Sequence, residues 1–298
     1  PEIALPGENF NTVLYAGNSS TQSITGVGFQ PDSTWIKTSS ASSNHRLIDS
    51  VRGVTEALRP NLANVELTEA NGLTSFNADG FSLGTEGGYN NSGENFVAWN
   101  WKAGGAPTVD NSAGVSAVPT AGSVKVDGSN YGSALNGSIA VKRMTVDTAA
   151  GFSITRFTGN ETAGATIDNL LSQAPDFFTC KVYGSGTTAN WNSQMFHDGD
   201  SSIQLDQTGP IDTDNRYWNS TDATASLITL GSLSTVNRSG VDSIIYAWHS
   251  VEGYSKIGSY KGNGNADGPF VYTGFKPKFV IVKNIDLADD WEIYDGTM

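Results

Sequence analysis

The sequence predicts an all-β protein made of tandem antiparallel β-sandwich repeats of the jelly-roll type. Three observations predict it: short β-branched and aromatic runs, 34 glycines spread at intervals, and a pattern that recurs along the chain. Runs such as Val13-Leu14-Tyr15, Trp35-Ile36-Lys37, Phe96-Val97-Ala98-Trp99, Ile244-Ile245-Tyr246 and Phe279-Val280-Ile281-Val282 suit a pleated, half-buried backbone. Clusters such as Ala78-Asp79-Gly80 and Asp267-Gly268-Pro269 bound them with turn residues. Many short strands with Gly-rich turns bury their apolar faces as a sandwich or barrel. One stretch, about Ser50 to Ala70, reads as helical, with Asp49 or Ser50 as N-cap and Pro60 interrupting it.

The recurrence sets the domain organisation. Phe10 to Gly17-Asn18, then Gly28-Phe29-Gln30-Pro31 and Trp35-Ile36-Lys37, is matched by Phe152 to Gly159-Asn160, Ala174-Pro175 and Phe178 to Lys181. The order returns as Tyr254 to Gly262-Asn263, Gly274 to Pro277 and Phe279 to Lys283. From the asparagine to the lysine is 19, 21 and 20 positions, and His45, Trp191 and Trp291 follow eight or ten residues later. The second half of the unit agrees without a gap: Leu83-Gly84, Ser92-Gly93 and Trp101 align with Leu230-Gly231, Ser239-Gly240 and Trp248. The expected division is a first sandwich over 1–104, a linker or β-hairpin insertion over 105–150, a second sandwich over 151–250, and the first half of a third repeat over 251–298. That last half lacks the Leu-Gly, Ser-Gly and Trp portion, so alone it cannot close a core of the same kind. Either it pairs with strands elsewhere or, the preferred expectation, the polypeptide runs on past Met298. In the insertion, Ser123 to Gly128 and Ser138 to Lys142 alternate and read as a hairpin packed against the second sandwich.

Composition narrows the function. Seventeen Lys and Arg against 30 Asp and Glu leave a formal charge of −13 on 298 residues. Such a surface repels phosphate backbones and anionic lipid, so neither nucleic acid nor a membrane is an expected partner. Only 16% of residues are charged, against about 25% in an average domain. The polar surface is therefore Ser, Thr, Asn and Gly. The single cysteine, Cys180, lies in the apolar run Phe177-Phe178-Thr179-Cys180 and reads as a core residue.

No constellation for catalysis stands out, and the reading is of a protein that is not an enzyme. His45, His197 and His249 are far apart, and neither a Gly-x-Ser-x-Gly elbow, a phosphate loop nor a His-Glu-x-x-His pair occurs. A sandwich-fold glycosidase or lyase needs two carboxylates about 5–10 Å apart in one cleft, whereas the acids here fall mainly at turns. Closely spaced Asp198 and Asp200, and Asp212 and Asp214, are candidate Ca2+ ligands, because alternate side chains can converge on a hard cation. Trp191, Tyr217 and Trp218 lie in Asn- and Asp-rich contexts and are candidate stacking platforms for a sugar. Trp35, Trp99, Trp101 and Trp248 fall on strand patterns and read as core.

Two segments carry a family resemblance. Asn71-Gly72-Leu73-Thr74-Ser75-Phe76-Asn77-Ala78-Asp79-Gly80-Phe81-Ser82-Leu83-Gly84, with Ser92 to Trp99, is one; Gly253 to Asn263, leading to Gly274-Phe275-Lys276-Pro277, is the other. They resemble the repeated domains of large virion proteins of tailed, mainly marine, bacteriophages, assigned to tail fibres and other surface structures. The resemblance implies concanavalin-like or jelly-roll sandwiches and a place on the particle surface. It also implies capsid or tail subunits as partners, assembly as a homo-oligomer, and loops displayed for host attachment. A lectin-like module that binds a host-surface glycan is the alternative that Tyr217, Trp218 and the Asp-rich turns suggest. The resemblance brings no catalytic or ligand residues with it. The second repeat departs from the pattern at Ala174-Pro175, and Arg46 to Gly53 has no close counterpart there.

Overall fold

A computed structural model describes residues 6–184 and 186–297. Strands make up 37% of the chain and helix 4%, in tandem β-sandwiches. The first repeat contains β1 (Phe10–Ala16), β2 (Gln22–Thr25), β3 (Ser33–Thr38), β4 (Arg46–Asp49), β5 (Gly53–Leu58), β6 (Leu67–Thr68), β7 (Leu73–Asn77), β8 (Gly80–Leu83), the one-turn helix α1 (Gly87–Asn90) and β9 (Asn95–Trp101). Its large sheet runs β1-β9-β3-β4-β5-β6 and its small sheet β2-β8-β7. Ile24, Ile36, Ile48, Phe81, Leu83 and Phe96 fill the space between them.

The insertion holds β10 (Val124–Val126), β11 (Ser129–Asn130) and β12 (Val141–Asp147). The second repeat follows with β13 (Phe152–Thr158), β14 (Ala165–Asp168), β15 (Phe177–Val182), β16 (Asn192–Met195), β17 (Ser201–Gln204), β18 (Asp212–Thr213), β19 (Leu227–Leu230), α2 (Ser234–Asn237) and β20 (Asp242–Trp248). Its large sheet runs β13-β20-β15-β16-β17-β18, the same connectivity as the first, and β14-β19 repeats β2-β8. The hairpin β21 (Phe279–Lys283) and β22 (Trp291–Asp295) completes the described strands.

The equivalence reaches single hydrogen bonds. Fully buried Asn90 accepts from the Asn18 backbone N–H at 2.9 Å and donates to the Gly84 carbonyl at 2.8 Å. Fully buried Asn237 does the same with Asn160 at 2.9 Å and Gly231 at 3.0 Å. Each amide thus satisfies backbone groups of the Gly-Asn turn and of the bend after the small-sheet strand, groups costly to bury unpaired. The glycines are sterically required: a Cβ on Gly17 or Gly159 meets the carbonyl oxygen of Asn91 or Arg238 at 2.1 or 2.4 Å.

Two local expectations are corrected. Residues 50–70 are strands and turns. Asp49 Oδ1 does accept from the Val51 and Arg52 N–H groups, as an N-cap would, but Gly53 at φ +123° reverses the chain into β5. In the insertion, β10 pairs with β12 in parallel, and its hairpin partner is β11. β12 adds to the edge of β13, so the second large sheet has nine strands. Val124, Val141, Met144 and Val146 enter the second repeat's core.

Alternation along the central strands decides where the aromatic residues go. Phe96 and Ala98 face the first core, and Ile245 and Ala247 the second. The other faces of β9 and β20 carry Trp99, Trp101, Tyr246 and Trp248. These outer faces are covered because the repeats stack on one another. Leu47, Val51, Leu58, Phe152, Tyr183, Trp191 and Tyr246 form a third buried cluster between the two large sheets.

Candidate functional site

The structure draws its most elaborate polar chemistry into the interface between repeats. Asp49, at the end of β4, accepts from the Tyr246 hydroxyl of β20 and from Arg52, each at 2.6 Å. Arg52 also reaches Glu66 at 3.0 Å. Asp49 and Tyr246 are buried to within 1%. Burial opposes charge on Arg52, but the Asp49 carboxylate and its neighbours outweigh it and hold the guanidinium pKa above its ordinary value. Burial likewise raises the Tyr246 phenol well above its usual range, so it donates as a neutral hydroxyl.

Three further bonds dock the β15–β16 hairpin of the second repeat on the first. The Trp191 indole donates to the Arg59 carbonyl at 3.1 Å, the Ala189 N–H to the Ala63 carbonyl at 3.2 Å, and the Glu66 N–H to the Tyr183 carbonyl at 3.3 Å. The β21–β22 hairpin docks on the second repeat with the same set. The Trp291 indole donates to the Gln204 carbonyl at 2.9 Å, the Asp289 N–H to Thr208 at 2.8 Å, and the Ile211 N–H to the Ile285 carbonyl at 3.0 Å. Ala63 and Glu66 stand four and seven residues after Arg59, as Thr208 and Ile211 do after Gln204. One docking geometry is used twice.

The hairpin also reaches the first repeat. Asp295 accepts from the Trp99 indole at 2.7 Å and the Thr12 hydroxyl at 2.9 Å. Strand register makes Asp295 the equivalent of Asp49: each closes its hairpin, Phe279↔Asp295 and Ser33↔Asp49. Trp99 is likewise the equivalent of Tyr246, since Phe10↔Trp101 corresponds to Phe152↔Trp248. The carboxylate-to-aromatic bond between repeats one and two is therefore made again between the hairpin and repeat one.

The residues singled out in the sequence take other places. Trp191 is fully buried as the docking indole, with the Lys181 ammonium 5.7 Å over its ring. Burial lowers that ammonium's pKa to about 8. Trp218 is fully buried in the second core, donating to the Ser201 carbonyl at 2.9 Å. It occupies the position of Leu73: Gly231 N–H bonds to the Tyr217 carbonyl as Gly84 N–H bonds to that of Gly72. Tyr217 is 5% exposed and donates to Asp212 at 2.9 Å. None of the three opens a ring face to a sugar, which corrects the stacking expectation.

The carboxylates of Asp198, Asp212 and Asp214 are likewise engaged. Asp214 is held by the Arg216 guanidinium at 2.6 and 2.9 Å, which keeps its carboxyl below the usual range. Asp212 accepts from Tyr217, and Asp198 caps the turn of Asp200 at 3.1 Å. Among the described residues, no group of three or more His, Cys, Asp and Glu side chains comes together. Cys180 is buried and its thiol is pushed far up by burial. His45 accepts from the Trp35 indole at 2.8 Å through Nδ1, and burial lowers its pKa to about 4, with Lys37 adding to the effect. Its ring is neutral with the proton on Nε2.

Two clefts flank the interfaces. One of about 320 Å³ lies between His45, Lys37 and Trp99 of the first repeat and Trp291 and Ile293 of the hairpin. The other, about 420 Å³, is polar and is lined by Glu66, Lys142, Arg156, Tyr183 and Asp242. Asp242 is occupied there by Lys142 and Arg156, each at 2.7 Å, and by Thr158 at 2.8 Å.

The chain matches a domain-of-unknown-function family, DUF7483, twice, over residues 5–135 and 125–298. It belongs to the DUF7483 family. The two matches span both sandwiches, the insertion and the hairpin; the contacts between repeat one and the rest join one match to the other, and the docking of the hairpin on repeat two lies within the second. Neither a curated protein nor a solved structure matches the chain.

Proposed function

We propose that this DUF7483 chain is a structural and adhesive component of a tailed-bacteriophage particle, in which docked sandwich repeats build a rigid surface element. One observation carries the reading: what the repeats share is the means of stacking on each other. The docking indole and the carboxylate-to-aromatic bond recur between repeats, as the buried asparagine clamp recurs within each of the two complete ones. The polar lining of the two clefts does not. His45 stands where the other repeats have Trp191 and Trp291, and Glu66 where the second has Ile211. Repetition of interfaces without repetition of a pocket suits a part that holds and presents surfaces.

The motif resemblance supplies the particle, with capsid or tail subunits as neighbours and exposed loops for host attachment. Glycan recognition in this reading uses faces other than those of Trp191 and Trp218. The test is mass spectrometry of purified virions of a phage encoding this chain. Many copies per particle are expected. Recovery of the protein only from the infected-cell lysate, and none from particles, overturns the proposal.

A further inference from the structure

Directly after β20 a histidine is held in one tautomer. His249 Nδ1 lies 2.9 Å from the Ser250 carbonyl oxygen. A carbonyl only accepts, so Nδ1 carries the proton and Nε2 of the neutral ring keeps a lone pair. That nitrogen stands 3.3 Å from the Ser172 hydroxyl. The hydroxyl has one other acceptor, the Thr148 carbonyl, also at 3.3 Å. The Ser250 peptide is itself fixed, because its N–H donates to Asp176 at 2.7 Å. A serine, a base with its free nitrogen beside it, and a third group holding the base's other nitrogen are the parts of a nucleophilic pair.

The fold brings these residues together from places remote in the sequence. β15 and β20 are neighbours with Phe177 opposite Trp248, so the loop entering β15 and the turn leaving β20 run side by side. His249 is 3% exposed, whereas Ser172 is open to solvent. The ring is backed by Gly151, at φ +65°, where a Cβ would meet Cε1, Nδ1 and Nε2 at 2.7–2.8 Å. Stacking of the repeats does not ask for this arrangement. The His249 N–H donates to the Gly151 carbonyl at 3.0 Å as the Lys102 N–H donates to that of Asn9 at 2.9 Å, so the first repeat has a lysine in place of the histidine. Among the described residues, the backbone N–H groups of Gln173 and Ala174 meet no acceptor. The first of them directly follows the serine, a position from which a backbone donor can serve an oxyanion.

We propose that Ser172 is a nucleophile and His249 its general base, a pair that hydrolyses esters of small acyl groups. Ser172 Oγ bonds to the ester carbonyl carbon while its proton passes to His249 Nε2. The imidazolium returns that proton to the leaving oxygen as the C–O bond breaks, and an alcohol departs. Water then attacks the acyl-serine and gives a proton to Nε2. The Oγ–C bond breaks, Oγ regains the proton, and the carboxylic acid leaves. The substrate class follows from what surrounds the pair. Nδ1 meets a neutral carbonyl and not a carboxylate, so the imidazolium is stabilised less than in a Ser-His-Asp triad. That suits an ester, whose leaving oxygen needs less proton assistance than an amide nitrogen. Ser172 lines neither of the two clefts, so the acyl group is a small one.

This activity goes beyond the structural role proposed above and does not rest on it: virion proteomics locates the chain, whereas the serine is read on the purified full chain. The first probe is diisopropyl fluorophosphate, with the labelled residue found by peptide mass spectrometry. Ser172 is expected to react faster than any other serine by roughly 100-fold, the acceleration a positioned base supplies. His249→Gln, with its near-ultraviolet circular dichroism unchanged, is expected to lose that advantage. The second probe is p-nitrophenyl acetate, which the parent chain is expected to hydrolyse roughly 100-fold faster than Ser172→Ala does. Ser172 is exposed, so this variant keeps the fold and decides the matter where His249→Gln does not fold. Labelling spread evenly over the serines overturns the proposal. So does labelling of folded His249→Gln at the parent rate, or ester hydrolysis by Ser172→Ala as fast as by the parent.

Discussion

Asp295 accepts a 2.7 Å hydrogen bond from the indole of Trp99, 196 residues earlier in the chain. The same carboxylate takes the Thr12 hydroxyl, so two strands of the first repeat hold the end of the last hairpin. Replacing Asp295 by Leu removes the one oxygen, Oδ2, that accepts both bonds, and a hydrogen bond to a charged group contributes about 1.5–3 kcal/mol. The expected outcome is release of residues 279–295, seen as amide exchange faster by roughly tenfold or more there. Exchange in β9 and β20 stays as in the parent protein.

Acid should release the same hairpin. Burial pushes the Asp295 pKa up, but the hydrogen bonds from Thr297, Trp99 and Thr12 outweigh it, and the folded-state value lies below the usual one. A depressed carboxyl contributes stability above its unfolded pKa, about 3.9, and loses that contribution as pH falls through the folded value. A titration of hairpin amide exchange is expected to show no change attributable to Asp295 above pH ~5. Below pH ~4 release begins, and the Asp295→Leu protein lacks that step.

At the equivalent contact between repeats one and two, the outcome is global. Asp49→Ala leaves the buried Arg52 without its nearest carboxylate, and breaking a buried pair in this way costs on the order of 3–5 kcal/mol. Tyr246→Phe removes one donor and keeps the ion pair, so its cost is expected to be smaller, about 1–3 kcal/mol. Urea unfolding of the two variants checks the ranking.

Asn90→Ala and Asn237→Ala are expected to cost similar amounts, roughly 1–3 kcal/mol for each buried backbone group left without a partner. The match between the copies is the informative part. Thermal unfolding monitored by near-ultraviolet circular dichroism reports it, and a large cost in one repeat with none in the other contradicts the equivalence.

His45 sets a second pH dependence. Its pKa is lowered to about 4, so in the folded chain it stays neutral where the unfolded chain binds a proton, below about 6.5. The unfolded state then carries more protons, and stability falls as pH drops from about 6.5 to 4. Replacing His45 by Asn removes one proton's worth of that slope. Unfolding free energies measured at several pH values in that window test it.

The strands and the repeat were legible in the sequence because both are local or periodic: β-branched runs alternate, and Gly84, Gly93 and Trp101 keep step with Gly231, Gly240 and Trp248. Burial by a neighbouring repeat was not legible. Trp191 between two asparagines has the local look of an exposed side chain, and only the packing of one large sheet on another encloses it. For Trp218 the alignment misleads: extended back from Gly231 without a gap, it places Trp218 over Asn71. Only the hydrogen bond from Gly231 to Tyr217, two residues longer in span than that from Gly84 to Gly72, shows that it takes the core position of Leu73. The reading of 50–70 as helix failed because Asp49 caps a turn whose next residues enter a strand, and a cap alone does not commit the next residues to a helix. The parallel pairing of β10 with β12 depends on β13 offering an edge, which the insertion's own residues do not encode.

The repeated docking geometry is tested most directly by nuclear Overhauser contacts from two indole N–H protons. The account predicts contacts from Trp191 Hε1 to the backbone at Arg59 and Pro60, and from Trp291 Hε1 to the backbone at Gln204 and Leu205. Finding the first set without the second would contradict it, because repeat three would then be placed by a different rule from repeat two.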